Sequence, residues 1–203
     1  VSALNLNYLE MDGFEADDLI ATYAAEALKK GYEVVIVSGD KDLMQLIRPG
    51  VEFYDPMKDK FFTPEDVKEK FGVYPEQVAD VQALSGDSID NVPGVPGIGP
   101  KTAAELVNQF GSLEGVLEHA GEIKQNKRRE TLLANLDNAR ISKQLVQLKN
   151  DVPVEHDLEE YGCRNPELTT LLHFVDEHGF KSLKPRLEKW VSEQCADPLN
   201  SQA

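Results

Sequence analysis

The stretch YEVVIVSGD, residues 32–40, constrains the fold more than any other part of the chain. A short β-branched run that stops at a glycine reads as a buried strand. Just ahead of it, residues 15–30, EADDLIATYAAEALKK, place Leu19, Ile20, Tyr23, Ala24, Ala27 and Leu28 on one helical stripe ending at Gly31. Helix then buried strand is an α/β unit. A strand of this kind wants parallel neighbours on both sides, yet ahead of Gly13 only LNLNYLEM offers a candidate. The expectation is an α/β sheet whose elements are incomplete within this chain.

Downstream, VEFYD and KFF read as two further short strands, and Thr63-Pro64 opens a helix through Phe71, with Thr63 as cap and Asp66 completing a capping box. Pro75 starts another helix toward Leu84. From Lys101 the pattern is helical: KTAAELVNQF, SLEGVLEHA, RRETLLANLDNARISKQLVQL and PELTTLLHFVDEHG, separated by Gly, Pro or Asn signals. The expected organisation is an α/β part over 1–84, a helical subdomain over 85–190, and a tail or linker over 191–203, which lacks a hydrophobic period.

The formal charge of -15 over 203 residues argues against nucleic-acid affinity spread over the whole surface. The charge is segregated, however: net -11 over 1–93, +2 over 94–150 and -6 over 151–203. Cys163 and Cys195 have no metal-like spacing, which points to a reducing compartment, and nothing resembles a signal peptide or a membrane span.

Three groups of acids stand out. Glu15, Asp17 and Asp18 open the first helix, where acids commonly meet free amides. Asp40 and Asp42 follow the carboxyl end of the strand, the edge at which open α/β sheets place ligand sites. Asp87 and Asp90 lie in GDSIDN. Singly, each group reads as an ordinary cap or polar turn. If the helix start and the strand end face each other, seven carboxylates converge, and such a cluster needs cations because like charges raise one another's pKa. Mg²⁺ or Mn²⁺ suits hard oxygen ligands. The histidines, His119, His156, His173 and His178, fall elsewhere, which argues against zinc. Two hard cations can activate water for phosphodiester hydrolysis.

VPGVPGIGPKTAAEL supplies Gly94, Gly97 and Gly99, then Pro100 as first helical residue, with Lys101 and Thr102 beside it. Outward-pointing amides at a helix start form an anion site for a backbone phosphate. The spacing is not that of a Walker A loop. Behind it, Lys124, Lys127, Arg128 and Arg129 form a compact basic patch that reads equally as a solvated helix start or as a phosphate contact.

GFEADD, VSGDKDLMQL and GDSIDNVPGVPGIGPKTA, with the spacing between them, resemble the 5' nuclease family, in particular the 5'-to-3' exonuclease domains of bacterial DNA polymerases, over roughly residues 5–190. The resemblance implies a PIN-like, mostly parallel sheet flanked by helices, followed by a helix-three-turn-helix or helix-hairpin-helix element at residues 94–102 that grips duplex DNA. It implies that Glu15, Asp17, Asp18, Asp40, Asp42, Asp87 and Asp90 bind two Mg²⁺ or Mn²⁺ ions, with Asp17, Asp18, Asp40 and Asp90 foremost in catalysis. It further implies K⁺ at the glycine turn, branched, nicked or 5'-flap duplex DNA as substrate, a linked polymerase domain as partner, and a cytoplasmic, nucleoid-associated setting. Family members begin with two aspartate-bearing strands and a basic helical arch that are not found ahead of Val1. The expectations are therefore a metal-dependent 5' nuclease in the parent protein, an exposed sheet face that invites oligomerisation, and, as the alternative, a non-catalytic module that holds duplex DNA.

Overall fold

The computed structural model describes residues 1–155 and 157–196, without the side chains of 191–196; His156, the Cys195 side chain and 197–203 of the expected tail lie outside the described residues. Contacts divide the chain into two units, Gly13–Val154 and Val1–Asp12 with the residues from Glu155 onward.

In the unit Gly13–Val154, helix α1 (Ala16–Lys29) precedes strand β1 (Val34–Val37). The sheet has the order β1-β2-β3, with β2 at Val51–Asp55 and β3 at Lys60–Phe62. The β1–β2 pair is parallel with Ile36 opposite Phe53, and β2–β3 is antiparallel with Phe53 opposite Phe62. The sheet is thus small and mixed. β1 is an edge strand: Ile36 is buried, whereas Val35 and Val37 are 51% and 62% exposed. Its alternation is that of a half-buried strand, although the β-branched run reads as buried on both faces.

Helix α2 (Pro64–Phe71) starts as the sequence predicts, since Thr63 Oγ1 accepts from the Asp66 amide and Asp66 in turn accepts from the Thr63 amide at 2.8 Å. Helix α3 (Val78–Ser85) follows a 3-10 turn at Pro75–Gln77 and is buried from Val78 to Leu84. Around it pack α4 (Pro100–Phe110), α5 (Leu113–Glu118) and α7 (Leu136–Val146). One core runs through the unit, from Phe53, Leu43 and Met44 beside the sheet to Leu84, Val107, Leu113 and Leu132 among the helices. The long segment from Arg128 to Leu148 is two helices, α6 (Asn126–Ala134) and α7, broken at Asn135. Asn135 leaves helical geometry at φ -130° and ψ 26°, and its side chain donates to Thr131 O at 2.8 Å. Asparagine competes for backbone groups in this way and so ends helices.

In the other unit, LNLNYLEM forms no strand; a 3-10 turn at Ser2–Leu4 is followed by irregular chain. Asn5 and Asn7 donate to the carbonyls of Asn165 and Gly162 at 3.1 and 3.3 Å. Helix α8 (Leu168–Glu177) buries Leu171 and Val175. Helix α9 runs over Lys184–Ala196, so the helix extends into the stretch whose composition suggests a tail.

Candidate metal centre and nucleic-acid interface

The start of α1 and the end of β1 are close enough for the charges of Asp40 and Asp42 to act on Asp17, whereas Glu15, Asp17, Asp18 and Asp40 lie outside the tightest group of carboxylates. Glu15 is the N-cap of α1, with Asp17 and Asp18 in its first turn. Past β1 the chain turns tightly: Ser38 Oγ accepts from the Asp40 amide at 3.0 Å, and Asp40 Oδ1 accepts from the Asp42 amide at 2.9 Å. Asp42 then opens a 3-10 turn, Asp42–Leu46. The Asp87–Val92 loop is closed by a two-residue antiparallel bridge, with amide-to-carbonyl distances of 3.1 and 2.7 Å.

One carboxylate oxygen from each of Asp42, Asp87 and Asp90 lies within 4.8 Å of the others, a group able to hold a divalent cation. The Asp17 carboxyl is pushed up to about 6 by burial and then by the charges of Asp40, Asp42, Glu15 and Asp18. Asp42 is also raised, by burial, against a lowering hydrogen bond from Gln82. Such mutual repulsion is what a multivalent cation relieves. The donor set is all hard oxygen and fits Mg²⁺ or Mn²⁺ rather than a thiophilic metal. Asp18 is placed differently from its neighbours, because its Oδ1 accepts from the Lys149 amide at 2.8 Å and so ties down the chain after α7.

Two further side chains belong to this site, neither singled out by the sequence. Gln82, on the buried face of α3, donates from Nε2 to Asp42 Oδ1 at 2.6 Å, while its Oε1 is buried without a partner. A second polar residue, beside Asp80, on a largely apolar helix is the only hint the sequence offers for Gln82. Lys41, between two of the acids, ion-pairs with Asp87 Oδ2 at 2.5 Å. That pair holds the Asp87 carboxyl below its usual range, with help from the Ile89 amide.

The glycine turn joins α3 to α4. Gly94 adopts φ +61°, and a Cβ there would stand 2.4 Å from the Gly86 nitrogen. This glycine therefore serves a backbone crossing, and its amide donates to Ser142 Oγ on α7 at 2.9 Å. Gly97 adopts φ +77° with open space around it, and Gly99 is the N-cap of α4. The first intrahelical bond runs from the Ala103 amide to Gly99 O at 2.9 Å. Pro100 has no amide, and the first-turn amides of Lys101 and Thr102 have no partner among the described residues. Lys101 is exposed. Arg128 Nη2 reaches Thr102 Oγ1 at 3.4 Å, which brings the basic patch up to this turn. Arg129 is turned inward, donating to Ile123 O at 3.0 Å and Asn126 Oδ1 at 2.8 Å. Lys124 and Lys127 are exposed and form no ion pair among the described residues.

Two sequence-family models match, the N-terminal resolvase-like domain of 5'-3' exonucleases over residues 1–72 and their C-terminal SAM fold over 73–169. DNA polymerase I of Rhizobium leguminosarum is 53% identical over 193 residues, covering 95% of this chain and 19% of that protein. A 5'-3' exonuclease of Aquifex aeolicus is 40% identical over 181 residues, covering 89% of this chain and 61% of that one. Among solved structures, a bacteriophage T5 flap endonuclease in a pseudo-enzyme-product complex with DNA and metal ions is 26% identical at a TM-score of 0.62, over 68% of this chain and 51% of that chain. The chain belongs to the 5'-3' exonuclease family, and it spans about a fifth of the length of the polymerase relatives it matches.

Proposed function

We propose that this chain carries the metal-binding and duplex-holding part of a 5'-to-3' exonuclease or 5'-flap endonuclease. The observation that carries the reading is the convergence of Asp42, Asp87 and Asp90 on the loop that leads directly into the glycine turn. Two Mg²⁺ or Mn²⁺ ions held at such carboxylates would supply an activated water and charge stabilisation for the leaving oxygen of a phosphodiester. Asp42, Asp87 and Asp90 hold them, with Asp17 and Asp40 completing the shell; Gln82 orients Asp42 from behind. Glu15 and Asp18 act at the edge of the centre.

The free amides of Lys101 and Thr102, with Gly97 and Gly99, receive a backbone phosphate of branched, nicked or flapped duplex DNA. Lys124, Lys127 and Arg128 extend that contact without reading bases. K⁺ at the glycine turn is the monovalent ion this reading includes. The relatives suggest a linked polymerase domain and a cytoplasmic setting; no described helix is long and apolar enough to cross a membrane. The exposed face of β1, with Val35 and Val37, is where oligomerisation would occur.

The test is incubation of the chain with an end-labelled 5'-flap duplex in Mg²⁺ or Mn²⁺, with Asp42→Asn and Asp90→Asn as controls. Cleavage lost in both variants supports the nuclease reading. Binding without metal-dependent cleavage leaves a duplex-holding module.

A further inference from the structure

The three converging aspartates share an ammonium supplied by the protein itself. Lys41 Nζ lies 2.5 Å from Asp87 Oδ2, and its charge also faces Asp42 and Asp90. Among the described residues, no other lysine or arginine forms an ion pair with any of the three. Both oxygens of Asp87 are engaged: Oδ1 accepts from the Ile89 amide at 2.9 Å and Oδ2 from Lys41. Each oxygen keeps a further lone pair for a cation, but a cation bound there would sit beside the positive charge of Lys41.

The two partners differ in how easily they can move. The Ile89 amide belongs to a short loop locked by the paired bonds between Asp87 and Val92. Lys41 hangs on four flexible carbons, and its side chain is 37% exposed against 9% for that of Asp87, so it has open solvent to swing into. An ammonium left within a few ångströms of a divalent ion would also repel it strongly in a partly buried setting.

We propose that Lys41 is a built-in competitor for the divalent ion. Its ammonium holds Asp87, an ion entering among Asp42, Asp87 and Asp90 displaces it toward solvent, and this exchange keeps the affinity of that subsite low. The inference rests on the reading of these aspartates as the metal centre, and the test separates the two.

Mn²⁺ binding to the whole chain is measured by the electron paramagnetic resonance of the free ion, for wild type, Lys41→Met, Lys41→Arg and Asp42→Asn. Lys41→Met keeps the aliphatic stem without the charge and is expected to bind Mn²⁺ at one site about tenfold more tightly. Lys41→Arg, which preserves the pair, is expected to stay close to wild type. In EDTA, Lys41→Met should melt below wild type, and saturating Mn²⁺ should raise its Tm by more. If Lys41→Met does not fold, Lys41→Gln takes its place with the same expectation. Equal or weaker Mn²⁺ binding in a folded Lys41→Met would overturn the proposal. Mn²⁺ binding that Asp42→Asn leaves intact would overturn the metal-centre reading itself, and the Lys41 proposal with it.

Discussion

The carboxylate cluster and the glycine turn are joined in sequence through the Asp87–Asp90 loop, but they handle their polar groups in opposite ways. Four of the seven carboxylates are tethered. Asp40 is bonded to the Asp42 amide, Asp42 to Gln82, Asp87 to Lys41 and the Ile89 amide, and Asp18 to the Lys149 amide. At the turn, the amides of Lys101 and Thr102 are left over by helix geometry, and Lys101, Lys124 and Lys127 stand in solvent. The first region has its charge fixed in place and repelling itself, which suits small ions that need exact oxygen positions. The second keeps its positive groups available, which suits a polyanion bound through many weak, screened contacts.

The strongest way to break this contrast is to damage the joint between the two regions. Gly94→Ala puts a Cβ against the Gly86 backbone at a left-handed φ and should destabilise the fold by at least about 2 kcal/mol. Mn²⁺ and DNA binding should fall together, with a lowered Tm; a variant that melts like wild type would show that the crossing is not needed.

Next in size is Asp42→Asn, which should weaken Mn²⁺ binding by about 10- to 100-fold by calorimetry. Gln82→Leu removes only the bond that orients Asp42, so a smaller loss in the same titration is expected.

The pH dependence sharpens the acidic side. Asp17 rises from the ordinary 3.8 to about 6, so its protonated form is favoured by folding. Its contribution is fully present below pH 3.8 and is lost as pH rises through about 6. Metal-free Tm should therefore fall across that window more steeply in wild type than in Asp17→Asn. Mg²⁺ should raise Tm more at pH 7 than at pH 5, since the ion needs the deprotonated carboxylate. A Mg²⁺ effect independent of pH would remove Asp17 from the centre.

The smallest effect is on the basic side. Lys101→Ala should weaken binding of nicked duplex by a few fold and lower the slope of log K against log salt by about 1. Lys29→Ala, in the last turn of α1, should change little. Equal losses would remove the reason for placing DNA at the turn.

Much of this was legible in the chain because the determinants are local. Thr63 and Asp66 cap α2, Pro100 starts α4, and the β-branched run forms β1. The acids at positions 17, 40 and 42 could be grouped because a helix start and a strand end are predictable places. What was illegible depends on tertiary partners. Nothing local assigns Gly94 to a backbone crossing, Arg129 to the Ile123 carbonyl, or Asp18 to an amide 131 residues away. Lys41, although it lies within VSGDKDLMQL, and Gln82 carry no local sign of these roles, since each matters only through the carboxylate it touches.

The most direct measurement is Mn²⁺ affinity and nicked-duplex affinity determined on the same preparations of wild type, Asp42→Asn and Lys101→Ala. Asp42→Asn is expected to lose Mn²⁺ affinity while binding DNA within about twofold of wild type, and Lys101→Ala to bind DNA a few fold more weakly while keeping its Mn²⁺ affinity. If each substitution weakens both ligands to the same degree, the two regions are one site, and the division of labour described above is wrong.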